Sequence, residues 1–415
     1  MTEIKKENKS VGKVPNLRFP EFTEEWETKK LGEFGEKVKT KNKNNKVKLV
    51  FSNSAVQGIV LQDEYFDKSI ANKDNLKDYY IVEPFDFVYN PRISSNAQVG
   101  AMSVNKTGKI GLVSPLYTVF KVNDNSINLT FLEIIFKTTV WHNYMRSIAN
   151  YGARDDRMNI KGDDFFALPV KLPSNKEQSK IANFLFLLDQ RIQTQNKIIG
   201  EINGLKATVI KKIFAGQLKF KDDNGKDFPN WNKTALAEIG EFSGGGTPSS
   251  SNIDFWNGNI PWVSSSDLSE NNIRSINVSK FITESAIDNS ATKLCPAPMI
   301  LIVSRVGVGK VAYSDRSICT SQDFLNVYNF NCNGLFLTYL ISKEMKKAAS
   351  NTQGTSIKGI TASEIKSTEI QLPCKPEQNK IADFLSSIDL KIDIENQFLQ
   401  KLEEQKKFLL QQMFV

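Results

Sequence analysis

Histidine is almost absent from this chain, and its scarcity argues against two large classes of enzyme. The 415 residues contain a single histidine, His142, which stands beside Trp141 in a stretch with helical periodicity. Zinc enzymes take several of their ligands from histidine, and a Ser-His-Asp triad needs a histidine within reach of its serine. A lone histidine in a helix is typical of a structural residue. We therefore expect neither a metal triad nor a catalytic triad.

Long hydrophobic runs are also lacking. No stretch approaches the roughly 18 consecutive apolar residues of a membrane helix, so we predict no contact with a membrane. The first 13 residues, MTEIKKENKSVGK, have no apolar core and do not resemble a signal peptide. The four cysteines share no metal-ligand spacing, and this pattern predicts reduced thiols in a cytoplasmic protein. They all lie in the second half of the chain, at Cys295, Cys319, Cys332 and Cys374.

Nucleotide and cofactor motifs are missing as well. The glycines of Gly307–Lys310 are superficially similar to a phosphate loop, but Val311 stands where serine or threonine is needed. Gly244–Gly246 lacks the downstream glycine of a dinucleotide fingerprint and predicts a turn. Asn90-Pro91-Arg92 lacks the second proline and the aromatic residue of the adenine methyltransferase motif. We expect that this chain binds no cofactor and is not an enzyme.

What the chain does have is a mild excess of positive charge on an ordinary globular composition. Hydrophobic residues make up 40% and charged residues 24%, values typical of proteins with packed cores. The length favours two to three domains. The formal net charge of +8 and the pI of about 9.0 permit binding to nucleic acid, because lysine and arginine neutralise phosphates. The alternative is a basic, solvated surface without such a partner.

The chain also repeats itself at a spacing of 200 residues. Of the 21 positions in Leu172–Ile192, eleven are identical in Leu372–Ile392. A weaker echo lies upstream of each copy, where Phe19-Pro20 and Trp26 match Phe228-Pro229 and Trp231. A repeat this long indicates a copied structural unit, and it predicts internal pseudo-two-fold symmetry. Such a chain suits a ligand with two sites, and DNA is the obvious candidate.

Each copy opens a long amphipathic helix. Apolar residues recur at steps of three and four from Glu177 to Phe214, which predicts a coiled-coil helix of 38 residues, roughly 57 Å long. Ser174 and Glu177 form the pattern of a capping box at its start. Two seam positions are polar in both copies, Gln195/Glu395 and Lys206/Lys406. We predict that the two helices form an antiparallel coiled coil; the alternative is two unrelated helices packed on separate cores.

The repeats divide the chain into two variable blocks and two helices. Each block contains short β-rich runs, then a helical stretch, and returns through Ile160–Gly162 or Ile357–Gly359 to a strand ending in Leu-Pro. The predicted fold class is α+β, with two mixed α/β domains joined by the long helices. The predicted boundaries are 14–172 for the first domain, 173–216 for the first helix, 217–230 for a linker, 231–371 for the second domain and 372–415 for the second helix.

At these motifs the chain resembles the specificity subunits of type I restriction–modification systems. Gly244–Leu268 and Ser304–Phe324 look like the two signatures of a target recognition domain, and the repeats resemble the two conserved helical regions of the family. The first block fits less closely, through Tyr89–Ser94 and Gly152–Ile160. The resemblance implies a non-catalytic subunit that reads a bipartite double-stranded DNA target. It also implies two methyltransferase subunits, which use S-adenosylmethionine, and restriction subunits, which use ATP and Mg.

Candidate DNA contacts follow from the chemistry of base recognition. Arginine pairs with guanine, and asparagine or glutamine pairs with adenine. Loops rich in polar residues carry these types, and for each residue the alternative is a solvated side chain or a turn former. The candidates are Asn90, Arg92, Arg154 and Arg157 in the first block, and Ser304, Arg305, Lys310, Gln322 and Lys358 in the second. A lysine run from Lys37 to Lys48 favours contact with backbone phosphates, whereas Trp256 and Trp262 are predicted to be core residues.

Two rival functions stay open on the sequence alone. One is an enzyme with its own DNA methyltransferase or nuclease activity, against which the missing motifs argue. The other is a coiled-coil scaffold that binds only proteins. If the chain reads DNA, helices of this length predict a target with two specified segments around an unread gap.

Overall fold

A computed structural model describes residues 14–65, 73–150, 156–351 and 359–415 of the chain. The chain divides into two compact units. The first comprises Met1–Gln193 with Gln400–Val415, and the second comprises Thr194–Leu399. Each unit therefore combines one variable block with segments of both long helices.

The first unit mixes short strands and helices. Its helices are α1 (Leu31–Phe34), α2 (Gln62–Tyr65), α3 (Leu129–Lys137), α4 (His142–Ile148), α5 (Gly162–Phe166), the start of α6 (Asn175–Phe214) and the end of α10 (Lys375–Gln412). Its strands are β1 (Glu27–Lys30), β2 (Gly35–Lys37), β3 (Phe51–Ser54), β4 (Gly58–Leu61), β5 (Tyr80–Val82), β6 (Phe87–Asn90), β7 (Ala101–Val104), β8 (Gly111–Val113), β9 (Thr118–Val122) and β10 (Pro169–Leu172). Lys73–Asp78 forms a 3-10 turn.

The second unit has the same kind of composition. Its strands are β11 (Asn232–Ala235), β12 (Glu241–Gly244), β13 (Ile260–Val263), β14 (Lys280–Ile282), β15 (Leu294–Cys295), β16 (Met299–Val303), β17 (Val311–Ser314), β18 (Ile318–Thr320), β19 (Phe324–Tyr328) and β20 (Glu369–Leu372). Its helices are α7 (Glu284–Asp288), α8 (Gly334–Asn351), α9 (Ala362–Lys366), the end of α6 and most of α10 (Lys375–Gln412). The 3-10 turns are Leu236–Glu238, Ile253–Trp256 and Ser265–Asp267.

The central sheets of the two units share one topology. The strand order is β2-β9-β6-β7 in the first unit and β12-β19-β16-β17 in the second, with every neighbouring pair antiparallel. A two-stranded ribbon, β1-β10 or β11-β20, joins the start of each block to its end. The remaining strands differ, with two-stranded β3-β4 and β5-β8 in one unit and four-stranded β14-β13-β18-β15 in the other. The predicted α+β class is confirmed.

Burial explains why these segments form central strands. All five residues of β16, Met-Ile-Leu-Ile-Val, are buried, and so are the first three residues of β6. A strand covered on both faces reads as a continuous apolar run. In the first unit Phe87 stacks on Phe120 of the neighbouring strand at 5.1 Å between ring centroids. Burying one such side chain contributes about 1.5–3 kcal/mol.

The two long helices pair antiparallel within each unit. In the first unit, Ile181 of α6 shares a core with Leu409 of α10. In the second, Ile213 of α6 shares a core with Ile381 and Leu385 of α10. Residue numbers rise along one helix as they fall along its partner, which confirms the predicted coiled-coil pairing. Helix α6 begins two residues before the predicted start and ends, as predicted, at Phe214.

Polar contacts occupy the predicted polar seam positions. The amide of Gln195 donates to the carboxylate of Glu395, and the ammonium of Lys206 pairs with Asp389. Polar partners inside a seam favour one register over its neighbours, because a slip leaves them unpaired. In the first unit Lys406 makes the equivalent pair with Asp189.

The predicted capping box at the start of α6 forms only in part. The hydroxyl of Ser174 accepts from the N–H of Glu177 at 3.4 Å. The Glu177 carboxylate does not close the box but receives hydrogen bonds from Arg18 and Trp26. In the second unit Trp231 donates to Glu377 in the same way. The upstream repeat and the helix repeat thus form one structural element, in which the upstream tryptophan is hydrogen-bonded to the start of the long helix.

Two predicted sequence matches are shifted in the structure. Phe19 packs on Phe184, and the residue that packs in the same way on Phe384 is Phe220, not Phe228; both ring pairs are 5.7 Å apart. Helix α5 begins at Gly162, whereas α9 begins at Ala362, three residues after Gly359. Short motif matches misplaced these segments because they ignore insertions in the connecting loops.

No helix within the described residues is long and apolar enough to cross a membrane.

Candidate nucleic-acid interface

One end of the central sheet gathers the predicted residues of the first unit. Strand β6 ends at Asn90, and its register with β9 pairs Tyr89 with Thr118. The loop after β6 therefore lies at the same end of the sheet as the turn before β9. Arg92 in this loop forms an antiparallel bridge with Arg157, 65 residues later in the sequence. The structure thus brings two sequence-predicted arginines together.

The charges at this end are mainly positive. The Nε atoms of Arg92 and Arg157 lie 3.9 and 3.8 Å from one carboxylate oxygen of Asp156. One acidic group between two guanidinium groups leaves a net positive charge, and the Arg92 side chain is 68% exposed. An arginine as exposed as Arg92 can reach phosphate or guanine.

Tyr117 joins the same cluster, and the sequence reasoning missed it. It lies half-buried in the turn before β9. Burial raises the pKa of the Tyr117 hydroxyl, and a hydrogen bond with Ser52 and the charges of Arg92 and Arg157 offset part of this rise. The phenol is therefore a neutral donor beside two cations. In the sequence, the signal for Tyr117 was an aromatic residue in the turn Ser-Pro-Leu-Tyr.

Asn90 shapes the loop that carries Arg92. Its side-chain amide donates to the carbonyl of Asn53 at 3.1 Å, and its carbonyl oxygen accepts from the backbone N–H of Arg92 at 3.1 Å. Asparagine commonly holds turns in this way. Arg154 lies outside the described residues.

In the second unit the hairpin loop between β16 and β17 has the equivalent place. Arg305 and Val306 are exposed at its tip. Gly307 and Gly309 have φ angles of +85° and +105°, a region that side chains with a Cβ rarely adopt. Ser304 is buried at the base of the loop, and its hydroxyl donates to the carbonyl of Asp323 at 3.0 Å.

A cleft of about 600 Å³ lies beside this loop. Arg305 and Gln322 line it together with Gly244 and Gly245. The side-chain oxygen of Gln322 accepts a hydrogen bond from Thr247. Its amide group can therefore donate into the cleft with a fixed orientation, as readout of a base edge requires.

Lys310, another predicted residue of this block, does not line the cleft. The ammonium of Lys310 donates to the carbonyl of Ser265 at 3.3 Å, so this side chain links two loops. Lys358 lies outside the described residues.

Arg92 and Arg305 are equivalent, although the sequences around them do not align. Each is the second residue after its strand, in the hairpin that joins the last two strands of the sheet order. In both units the carbonyl just before the arginine accepts a backbone hydrogen bond from the returning segment, from Met158 at 3.0 Å and from Ile360 at 2.8 Å. The sequence contained one signal for this equivalence: each arginine stands two positions after the end of an apolar strand.

The glycines and tryptophans of the signature Gly244–Leu268 are structural. A Cβ at Gly245 or Gly246 would lie 2.1 or 2.3 Å from neighbouring backbone atoms. The indole N–H of Trp262 donates to the carbonyl of Gly246 at 3.0 Å, and its ring contacts Trp256 edge to face at 5.1 Å. Trp262 is buried, which confirms the prediction that it is a core residue, and the half-buried Trp256 packs against its cluster.

The lysine run leaves the first sheet at the end that carries Arg92. Strand β2 ends at Lys37, which pairs with Phe120 near the start of β9. Most of these lysines are exposed, which suits contact with phosphates. The exposed members are Lys37, Lys39, Lys43, Lys46 and Lys48.

The described part of the chain offers little support for a metal site or for catalysis by histidine or cysteine. No group of three histidine, cysteine or acidic residues is arranged to hold a metal ion there. Burial lowers the pKa of His142, and Arg146 lowers it further. All four cysteines are free, and burial raises the pKa of Cys319 and of Cys332 to about 11. These thiols are poor nucleophiles, since the thiolate is the reactive form.

Comparison with known proteins points to one family. Residues 229–404 match the family model described as the type I restriction modification DNA specificity domain. The chain is 33% identical over 202 residues to the type I restriction enzyme MjaIX specificity subunit of Methanocaldococcus jannaschii, covering 46% of each chain. It is 31% identical over 234 residues to the EcoR124I/EcoR124II specificity subunit of Escherichia coli, covering 54% of this chain and 55% of that one. The chain thus spans about half the length of these relatives.

Structural similarity to solved proteins covers more of the chain than sequence similarity does. A solved chain from work on complex assembly and conformational transition of the type I R-M system superposes with a TM-score of 0.59 at 14% identity. The match covers 93% of this chain and 96% of that one. At this identity the likeness concerns the fold alone.

Proposed function

We propose that this chain is a specificity subunit of a type I restriction–modification system, the non-catalytic subunit that reads the DNA target. Its similarity to the specificity-domain family model over residues 229–404 and to two specificity subunits supports this proposal. In this role it directs methyltransferase and restriction subunits to a bipartite sequence in double-stranded DNA. We assign this role to the cytoplasm. The chain itself then needs no catalytic group and no cofactor.

This proposal depends mainly on one observation: the same hairpin of the central sheet occurs in both units, and the loops around it differ. Each unit presents an exposed arginine, Arg92 or Arg305, at one position of one sheet topology. The surrounding loops differ in sequence and length. A common scaffold with divergent polar loops suits two modules that read different bases. We assign one half of the target to each block, with domains at 14–172 and 231–371, helices at 173–216 and 372–415, and a linker at 217–230.

The residues that would contact DNA fall into two groups. Arg92, Arg157, Arg305 and Gln322 face solvent or a cleft, and we assign them to base or phosphate contacts. Asn90, Ser304 and Lys310 hold their loops by hydrogen bonds. We therefore propose that these three residues contribute to DNA binding indirectly, by fixing the conformation of their loops. Arg154 and Lys358 stay predictions from the sequence.

Exposed apolar side chains on the long helices support the proposed protein partners. Phe184 and Phe384, 200 positions apart, are each 38% exposed. Phe186 and Leu187 are also exposed on the first helix, and Leu390 is exposed on the second. Exposed apolar patches often mark protein–protein contacts. We assign one methyltransferase subunit to each surface, and restriction subunits join for cleavage. S-adenosylmethionine then belongs to the methyltransferase, and ATP and Mg belong to the restriction subunits.

Single-molecule sequencing of DNA from expressing cells tests this function. Co-expression with the methyltransferase partner should produce adenine methylation at a two-part motif. The chain alone, or the chain with a catalytically inactive methyltransferase, should produce none. Methylation by the purified chain alone would show that it is an enzyme. Failure of the chain to shift DNA in a gel together with active partners would favour a protein-binding scaffold.

A further inference from the structure

The two copies of the glutamate near the start of the long helices differ in how their charge is balanced. Glu177 of the first unit is 1% exposed. The guanidinium of Arg18 donates to its two oxygens through Nε and Nη2, each at 2.7 Å. The indole N–H of Trp26 donates to it at 3.4 Å. A bidentate arginine is the partner that best satisfies a buried carboxylate.

Glu377 of the second unit is nearly as buried, with 4% exposed, but it has no arginine partner in the described part of the chain. Its hydrogen bond comes from the indole N–H of Trp231 at 3.0 Å. Burial raises the pKa of Glu377, and this hydrogen bond and the charge of Lys219 offset only part of the rise. A buried carboxylate with one neutral donor is under-satisfied.

Backbone contacts identify Lys219 as the counterpart of Arg18. The N–H of the residue before Arg18 donates to the carbonyl of Gln412. The N–H of the residue before Lys219 donates to the carbonyl of Lys212, which is 412 − 200 in the repeat. The two segments therefore meet their helices at the same place. The exposed Lys219 side chain lines the cleft beside Glu377, but no hydrogen bond or ion pair among the described residues joins the two. The paired position that Arg18 fills in the first unit is therefore left open.

A cleft of about 490 Å³ borders Glu377. Phe214, Phe228 and Trp231 contribute aromatic surface to it. The rings of Phe214 and Trp231 meet at 75°, with 6.2 Å between their centroids. Aromatic faces beside a carboxylate favour a planar and weakly hydrated cation over a compact ammonium.

We infer that this cleft binds a guanidinium group, with Glu377 as its anion and the aromatic walls as its stacking surface. The ligand takes the place that Arg18 holds in the first unit. An arginine side chain of a protein partner and a free guanidinium compound share this chemistry. The inference rests on the two copies within one chain and does not depend on the proposed DNA recognition.

The indole resonance of Trp231 in the full-length protein reports directly on the site. The probe is Nα-acetyl-arginine amide, and the matched control is the neutral isostere Nα-acetyl-citrulline amide. Trp231→Phe assigns the resonance. We expect a saturable shift with the arginine amide, no shift with the citrulline amide, and no change at Trp26. Glu377→Gln should weaken binding at least about tenfold, the effect of losing one charge-assisted pair.

Lys219→Arg provides a second test that leaves Glu377 in place. An arginine at this position should pair with Glu377 from within the chain, as Arg18 does with Glu177, and should abolish binding of the probe. Unchanged affinity in both variants, equal shifts with both amides, or no saturable shift at Trp231 would overturn the inference. Repeating the titration with the methyltransferase partner assembled separates the sources: a blocked site indicates an arginine of the partner, and an open site indicates a free ligand.

Discussion

Arg92 and Arg305 show how a single residue can keep its place while its surroundings change. Both follow a central strand by two positions, and in both units a backbone hydrogen bond from the returning segment fixes the preceding residue. The backbone contact needs no particular side chain. The loops can therefore diverge while the arginine stays at the same end of the sheet.

Replacement of Arg305 tests its proposed role in reading bases. Arg305→Ala should reduce the affinity for specific DNA by about 1–3 kcal/mol and relax one base of one half-site. Arg316→Ala is the matched control, because Arg316 is also an exposed arginine of the second unit. Methylation sequencing and a binding titration at fixed salt measure both effects. Equal losses in the two variants would indicate general electrostatics instead of base reading.

The raised pKa of Glu377 predicts a pH-dependent stability difference. The charged form is disfavoured in the folded state, so the penalty is present above the folded pKa. It disappears as the pH falls through that pKa toward the value of the unfolded chain, because the folded protein then takes up a proton. Glu377→Gln should therefore raise the Tm at neutral pH, and this gain should shrink on acidification. Thermal melts between about pH 4 and pH 8 measure the difference.

The exposed Glu369 of the same unit supplies the control, and Glu369→Gln should leave the Tm unchanged across this range. A Glu377→Gln difference that grows on acidification would contradict the argument, since it would mean that the charged form is favoured in the folded state.

At the scale of elements, the two long helices form the same lysine–aspartate ion pair in both units, but the two pairs lie in different environments. Lys206 and Asp389 are 8% and 3% exposed, whereas Lys406 and Asp189 are 31% and 40% exposed. The buried pair is also tied to its block, because Tyr339 donates to Asp389. Desolvation makes the buried partner costly to leave unpaired, and solvent screens the exposed one.

Methionine substitutions on the two lysines should therefore differ in effect. Lys206→Met leaves Asp389 buried and unpaired and should destabilise the protein by about 3–5 kcal/mol. Lys406→Met should destabilise it by at most ~1 kcal/mol. Urea unfolding followed by far-UV circular dichroism measures both. Replacing both partners, Lys206→Met with Asp389→Leu, should recover much of the loss; similar losses in the two single variants would refute the difference in burial.

At the scale of the whole molecule, the shared sheet order predicts that the second block can be exchanged as a unit. Its ends are held by the ribbon of Asn232–Ala235 with Glu369–Leu372, which is built from backbone hydrogen bonds. Exchange of 231–370 for the same region of a related subunit should change one half of the methylated motif and keep the other. Methylation sequencing of cells that carry the exchanged chain and its methyltransferase partner measures this. A change in both halves would show that the blocks do not read independently.

The sequence by itself determined the duplicated plan and the long helices. Periodic apolar residues and a 200-residue repeat specify a helix, its face and its antiparallel partner, because these patterns are local or regular. The seam residues Gln195 and Lys206 were identifiable for the same reason, as interruptions of a regular pattern. The α+β class followed from short apolar runs between turn formers.

Only the tertiary structure decided which loop residues meet. The bridge between Arg92 and Arg157 depends on strand order and on where a later segment returns, and local sequence does not encode either. The same is true of the shift from Phe228 to Phe220, because loop insertions break the spacing on which motif matching relies. The contrast between Glu177 and Glu377 appears only when burial and partners are known, since the two residues are identical in sequence but only one meets an arginine.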